Sequence, residues 1–291
     1  MRKMHILPPA CRTSAQADVR YTCPHPHCYF HLIAMLDAEI HLWFARDSDC
    51  TPELLARYRD ELMNDEERVR HLRFHFERDR NQFALTRALV RTVLSRYAPI
   101  APADWQFAKA AHGRPYICNP HPPALNFNLS HTKGLVVLAI CAPMTMGVDV
   151  ENCVQRAAPL EVAEGYFSKP EVASLFALPA SEQQERFFHY WTLKESFIKA
   201  EGQGLSLPLD QFSMQFARPD AVEIDFHRPL VAQPENWRFW LLQPFAEYLT
   251  ALCVQSAAQQ APLLRSRRCL PLVDDAEMNC QLLRRSQWSV T

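Results

Sequence analysis

The sequence predicts an α+β fold built from two similar strand-and-helix halves. Three observations carry that expectation. Short apolar runs of strand character are interspersed with longer runs at helical spacing. This series occurs twice, over roughly 36–145 and 146–255, with no repeat visible residue by residue. The chain has 291 residues, 48% of them hydrophobic, enough for one large core or two smaller ones.

The elements can be justified in order. Residues 1–35 hold Pro8-Pro9, three Cys and four of the twelve His, and read as a disordered extension. Cys23, His25, His27 and Cys28 have zinc-ligand chemistry, but their spacing fits no zinc module and the intervening prolines favour extended chain. Met35 is a candidate start, because a clean strand pattern over 40–44 begins just after it. Thr51-Pro52 supplies an N-cap followed by proline at the first helical position. Residues 66–73 form a mixed-charge helix face that includes Arg70. A helix over 79–97 shows Phe83, Arg87/Val90 and Leu94/Tyr97 at helical spacing, and Pro99 and Pro102 end it. Pro120, Pro122 and Pro123 mark a loop. Strands follow over 125–129, 134–141 and 146–150, then helices over 170–177 and 181–201. Strands return over 211–216, 221–226, 237–242 and 248–254. Residues 256–291, with Arg265, Arg267 and Arg268, read as a partly ordered tail.

Composition narrows the function. Only 6 residues are Gly, about 2% against an average near 7%. Neither a Rossmann fingerprint nor a P-loop occurs. A formal net charge of −1 provides no field for nucleic acid or an anionic membrane. No run of 18 apolar residues suggests a membrane span. The apolar run 28–36 is a poor signal peptide, so the ten cysteines are expected as reduced thiols in the cytoplasm.

Four strings carry chemistry. In Gly147-Val-Asp149-Val-Glu151 both carboxylates share one strand face, as a solvated edge or as oxygen ligands for a hard cation. In Trp191-Thr-Leu-Lys-Glu195-Ser-Phe-Ile-Lys199, Glu195 and Lys199 are an i,i+4 pair: an ordinary helical ion pair, or a third carboxylate with a cation for phosphate. Phe127-Asn-Leu-Ser130-His131 ends a strand with donors suited to phosphate or ribose, or with a turn that caps itself. Neighbouring strand residues face opposite ways, which argues against Ser130 and His131 as nucleophile and base. His112-Gly113-Arg114-Pro115 is a turn in which glycine allows close approach and arginine can grip phosphate.

In this order the strings, with Gly202-x-Gly204-Leu, resemble the Sfp-type 4′-phosphopantetheinyl transferases over about residues 36–255. The resemblance implies a pseudo-dimer of two similar α/β halves with coenzyme A in the cleft between them. It implies an N-terminal half over 36–145 that contacts coenzyme A, and a C-terminal half over 146–255 with the metal and pyrophosphate site. A serine of an apo acyl or peptidyl carrier protein would attack the β-phosphate of coenzyme A, releasing 3′,5′-ADP. Asp149, Glu151 and Glu195 would hold Mg2+ or Mn2+. Lys199 would meet the pyrophosphate, and either Glu195 or a metal-bound water would take the serine proton. Ser130 and His131 match coenzyme A contacts, with His131 and Arg70 near the 3′-phosphate and Lys109, Gly113, Arg114 and Pro115 at the adenine end. Arg114 stands where Lys is commoner, and Glu67 where some relatives carry a basic residue. Arg156 and Lys169, in the loop after the metal strand, are candidates for meeting acidic carrier helices. The carriers would serve fatty-acid, polyketide or nonribosomal-peptide synthesis, and the built-in second half implies a monomer. A non-catalytic coenzyme A or carrier-binding module and a metal-dependent phosphohydrolase are the alternatives.

Overall fold

The run Leu135–Cys141, without one polar residue, suits a strand covered on both faces. A computed structural model of the protein, describing residues 36, 38–155, 157–227, 234–258 and 260–288, places it so. In chain order the elements are β1 (Glu39–Arg46), α1 (Pro52–Arg57), α2 (Asp65–Arg73), α3 (Glu77–Leu94), the hairpin β2 (Phe107–Lys109) and β3 (Pro115–Ile117), β4 (Asn126–Thr132), β5 (Leu135–Cys141) and β6 (Met146–Asn152). They continue as α4 (Lys169–Phe176), α5 (Ala180–Glu201), the hairpin β7 (Phe212–Gln215) and β8 (Glu223–Phe226), β9 (Trp237–Phe245), β10 (Tyr248–Gln255), β11 (Leu263–Leu270), β12 (Asp274–Glu277) and β13 (Gln281–Arg285).

One sheet has the order β12-β11-β1-β5-β4 and another β13-β9-β10-β6. Period-two alternation assigns every buried side chain to a layer. Ile40, Leu42 and Phe44 of β1 and Val137 and Ala139 of β5 meet Val148, Val150, Trp240 and Leu252 from the other sheet. Trp43, Val136, Leu138 and Ile140 face the opposite way, onto Leu85, Leu89 and Val93 of α3. Leu249, Ala251 and Cys253 of β10 likewise pack on Leu193, Phe197 and Ile198 of α5. The result is helix, sheet, sheet, helix. Each fully buried apolar side chain contributes about 1.5–3 kcal/mol to holding the layers together.

Local signals act as expected for their chemistry. The Thr51 hydroxyl accepts from the Leu54 N–H at 3.2 Å, and Asn64 and Glu67 form a capping box at the start of α2. Helix α3 stops at Leu94, before the expected Tyr97, where the Ser95 hydroxyl donates to the Arg91 and Ile100 carbonyls and turns the chain. Lys169 belongs to the first turn of α4 rather than to a loop. Arg156, residues 1–35 and the Cys23–Cys28 cluster lie outside the described residues. Cys50, Cys118, Cys141, Cys153, Cys253, Cys269 and Cys280 are free thiols.

The segment after 255 corrects the sequence reading most. Instead of a tail it supplies β11, parallel to β1, and β13, antiparallel to β9, so it borders both sheets. Cys269 enters the first core, the Tyr58 hydroxyl donates to the Pro271 carbonyl, and the Ser286 hydroxyl ties β9 to Val222. Its arginine-rich strand lacks the apolar run that marks β1, β5 and β10. Arg267 and Arg268 find Asp275 and Asp49 instead.

Ending the chain after Gln255 is therefore expected to leave two strand edges open and lose several kcal/mol, since each ladder hydrogen bond contributes about 1 kcal/mol. Thermal unfolding checks this, and an unchanged Tm would contradict it.

Candidate active site

The two sheets touch through their edge strands β4 and β6, where the Asn128 side-chain oxygen accepts from the Val148 N–H at 2.8 Å. On β6, Val148 and Val150 point into the core between the sheets, which turns Gly147, Asp149 and Glu151 toward α5. Strand and helix approach so closely at Gly147 that a Cβ there would stand 2.1 Å from the Ser196 carbonyl oxygen and 2.4 Å from the Ala200 nitrogen. Only glycine fits.

This approach gathers the charged groups. Asp149, 4% exposed, accepts at Oδ1 from the Ser130 hydroxyl at 2.9 Å and from Lys199 Nζ at 2.6 Å. Lys199 Nζ also donates to Ser130 Oγ at 2.7 Å. The other carboxylate oxygen, Oδ2, is buried without a hydrogen-bond partner. Lys199 thus pairs across to β6 rather than along its own helix to Glu195. Desolvation, then the Asp149 charge, push the Glu195 carboxyl above the usual carboxylate range, while Lys199 opposes the shift. Glu151 accepts from the indole N–H of Trp191 at 3.0 Å. Among the described residues, no three His, Cys, Asp or Glu side chains form a ready-made metal cluster.

Ser130 and His131 part as strand neighbours must, with Ser130 buried at Asp149 and His131 exposed. Desolvation by surrounding protein, then the charges of Lys199 and Arg87, hold the His131 ring below the ordinary imidazole range although solvent still reaches it. Arg70 and Lys109 share an open groove of about 710 Å3 with Arg73, Val69 and Phe74. Arg114 and Pro115 line a different recess, of about 150 Å3, with Tyr116, Phe127 and Ala200. The structure thus divides residues that the sequence grouped at one end of the ligand. The Arg114 guanidinium donates to the carbonyls of Lys199 at 3.3 Å, Ala200 at 3.2 Å and Met146 at 3.0 Å, so it fastens the end of α5 to the start of β6. Gly113 has open space around its Cα, so its φ of 86° in the β2–β3 turn, rather than close approach, is what calls for glycine.

Comparison with known proteins places the chain in a family. Residues 145–253 match the model of the 4′-phosphopantetheinyl transferase superfamily, and residues 53–142 match that of the 4′-phosphopantetheinyl transferase N-terminal region. The 4′-phosphopantetheinyl transferase Sfp of Bacillus subtilis is 38% identical over 167 residues, covering 56% of this chain and 72% of that one. The 4′-phosphopantetheinyl transferase ffp of Bacillus subtilis is 38% identical over 160 residues (55% and 69% of the two chains), and HetI of Nostoc is 30% identical over 175 residues (60% and 73%). The chain belongs to the Sfp-type 4′-phosphopantetheinyl transferases. It is an enzyme of that family, and both matched regions contribute to the cluster, Ser130 from one and Asp149 and Lys199 from the other.

Sequence reasoning missed what orients the acids of this transferase. Trp191 holds Glu151 from 40 positions away, and Arg114 reaches Lys199 from 85. Neither separation has a periodic signature. Lys194, in the same string as Lys199, is fully buried and donates to Glu171 and to the carbonyls of Leu209 and Phe212. Its role is to anchor the helix.

Two outcomes follow from this geometry. Gly147→Ala is expected to cost about 2 kcal/mol or more, because the clash is with backbone that cannot swing away; urea unfolding measures it, and an undiminished midpoint contradicts it. In metal-free protein, 13C NMR should find half-buried Glu195 titrating above the exposed glutamates, and Lys199→Met should raise it further. As pH rises through that value Glu195 becomes an anion beside Asp149 and the fold loses stability, so a Glu195 of ordinary pKa would contradict the coupling.

Proposed function

We propose that this enzyme transfers 4′-phosphopantetheine from coenzyme A to a serine of an apo acyl or peptidyl carrier protein, releasing 3′,5′-ADP. The observation that carries this reading is the cluster of Ser130, Asp149 and Lys199, with Glu195 coupled to it, where the two sheet edges meet. On this reading the two sheet-and-helix halves form a pseudo-dimer, and the cleft between them holds the substrate. The chain acts as a cytoplasmic monomer; no helix among the described residues is long and apolar enough to cross a membrane.

Asp149, Glu151 and Glu195 are the residues that would hold Mg2+ or Mn2+. Their oxygens suit a hard cation, and the buried, unpartnered Oδ2 of Asp149 is a donor site with nothing else to satisfy it. When bound, the ion supplies neutralising charge to the pyrophosphate.

The protein's own groups account for the remaining needs of phosphoryl transfer, namely positioning and charge. Lys199 uses two donors on Ser130 and Asp149, which leaves its third ammonium hydrogen for a pyrophosphate oxygen. Glu195 takes the proton from the carrier serine. The serine oxygen bonds to the β-phosphorus, the bond to the bridging oxygen breaks, and 3′,5′-ADP leaves with the electron pair. Arg70, Lys109 and His131 hold the nucleotide end, and Arg114 and Pro115 frame the seam beside it. The carriers serve fatty-acid, polyketide or nonribosomal-peptide synthesis, and exposed Lys169 is positioned for their acidic helices.

Incubation with coenzyme A, Mg2+ and an apo carrier protein should raise the carrier's mass by one phosphopantetheine. Glu195→Gln should lower the rate by about 10²–10⁴-fold with unchanged folding, and chelation should stop turnover. Carriers of both types left unmodified by the wild-type enzyme would overturn the reading and leave a binding module; release of phosphate without any carrier would favour a phosphohydrolase.

A further inference from the structure

Strands β4 and β5 join through a two-residue loop, Lys133-Gly134, with Thr132 paired to Leu135. Gly134 has a φ of 91°, whereas Lys133 is not among the described non-glycine residues with positive φ. A hairpin loop of this length normally takes a turn whose first central residue has positive φ, because that twist matches the strands. This turn lacks it, so its geometry depends on what holds it from outside.

Three successive carbonyls of the turn are held, each by a different element. The Gln82 amide of α3 donates to Thr132, the Asp47 N–H just after β1 donates to Gly134 at 3.3 Å, and the Tyr248 hydroxyl of β10 donates to Lys133 at 3.2 Å. Asp47 follows a strand of the same sheet as the turn, whereas Tyr248 reaches across from the other sheet. A register shift between Tyr248 and Thr250 interrupts the pairing of β10 with β9, and such bulges re-aim a side chain. The Tyr248 ring shares the core between the sheets with Phe44, Leu135 and Val150 and meets Phe245 edge-on at 6.2 Å, which fixes the hydroxyl in place. Gly134 makes room for it, since a Cβ there would stand 2.3 Å from the hydroxyl oxygen.

Tyr248 therefore joins two parts of the site. Its strand pairs with β6, which carries Asp149 and Glu151, and its hydroxyl holds the turn that directly follows His131. We propose that Tyr248 is a positioning residue for coenzyme A, one that sets the spacing between the His131 turn and the β6 carboxylates without touching the substrate. The inference rests on the coenzyme A reading above. On that reading one molecule is gripped at its nucleotide end beside the turn and at its pyrophosphate beside β6, so both sets of contacts must be held at one spacing. Loosening the turn weakens binding and leaves the chemistry in place, because Asp149, Lys199 and Glu195 lie on β6 and α5.

Tyr248→Phe removes the hydroxyl alone. With saturating apo carrier protein, its KM for coenzyme A should rise about threefold to tenfold while kcat stays within about twofold of wild type. Gly134→Ala should raise the KM in the wild-type background and raise it less in Tyr248→Phe, where the clashing oxygen is gone and the ring Cζ would lie at an ordinary 3.5 Å. The strain of a positive φ is common to both backgrounds and cancels in the comparison. A Tyr248→Phe enzyme with a lowered Tm and an unchanged KM overturns the proposal, because that is what a purely structural role gives. Strictly additive effects of the two substitutions on KM overturn it as well. A wild-type enzyme that transfers nothing from coenzyme A sinks the underlying reading instead, so the two failures are told apart.

Discussion

Strand β6 and helix α5 touch backbone to backbone at Gly147, and the positions of the charged groups follow from that contact. With any larger residue the helix would stand off, and Lys199 would lose its reach to Asp149 and Ser130. Arg114 secures the same place from outside by binding carbonyls of both elements. Three carbonyl acceptors suit a forked guanidinium better than the point charge of a lysine. An arginine in the Gly113-Arg-Pro turn is therefore a structural clamp as well as a charge near the seam.

Lys194 and Lys199 show how position on one helix divides identical side chains. Lys194 faces the core and is satisfied by Glu171 and two carbonyls, with no exposed surface left for a ligand. Lys199, five positions on, faces β6, keeps one donor spare and remains partly open. The carboxylates divide similarly. Glu67 and Glu171 neutralise buried cations, whereas Asp149 holds back one buried oxygen and Glu195 is kept basic by its surroundings. Charges fully matched by the protein hold the fold; those left incompletely matched are the ones available to a substrate.

Much of this was legible in the linear chain. Apolar runs of strand character located β1, β5, β6 and β10, helical spacing located α3 and α5, and the Thr51-Pro52 cap marked α1. The separation of Ser130 from His131 and the shared face of Asp149 and Glu151 followed from a period of two. The last strands were not legible, because β11 and β13 are stabilised by ladder bonds and ion pairs with partners far away, and their own side chains are mixed and half exposed.

By itself the sequence determined the types of most elements between residues 36 and 255 and the family to which the chain belongs. These depend on periods of 2 and 3.6 and on short strings, all of them local. Only the tertiary structure decided the pairing of charges: Lys199 with Asp149 instead of Glu195, Trp191 with Glu151, Arg114 with the end of α5, and Glu67 with both Arg91 and Arg87. Electrostatic partners are chosen by distance through space and by desolvation, and neither quantity is written in the spacing along a chain.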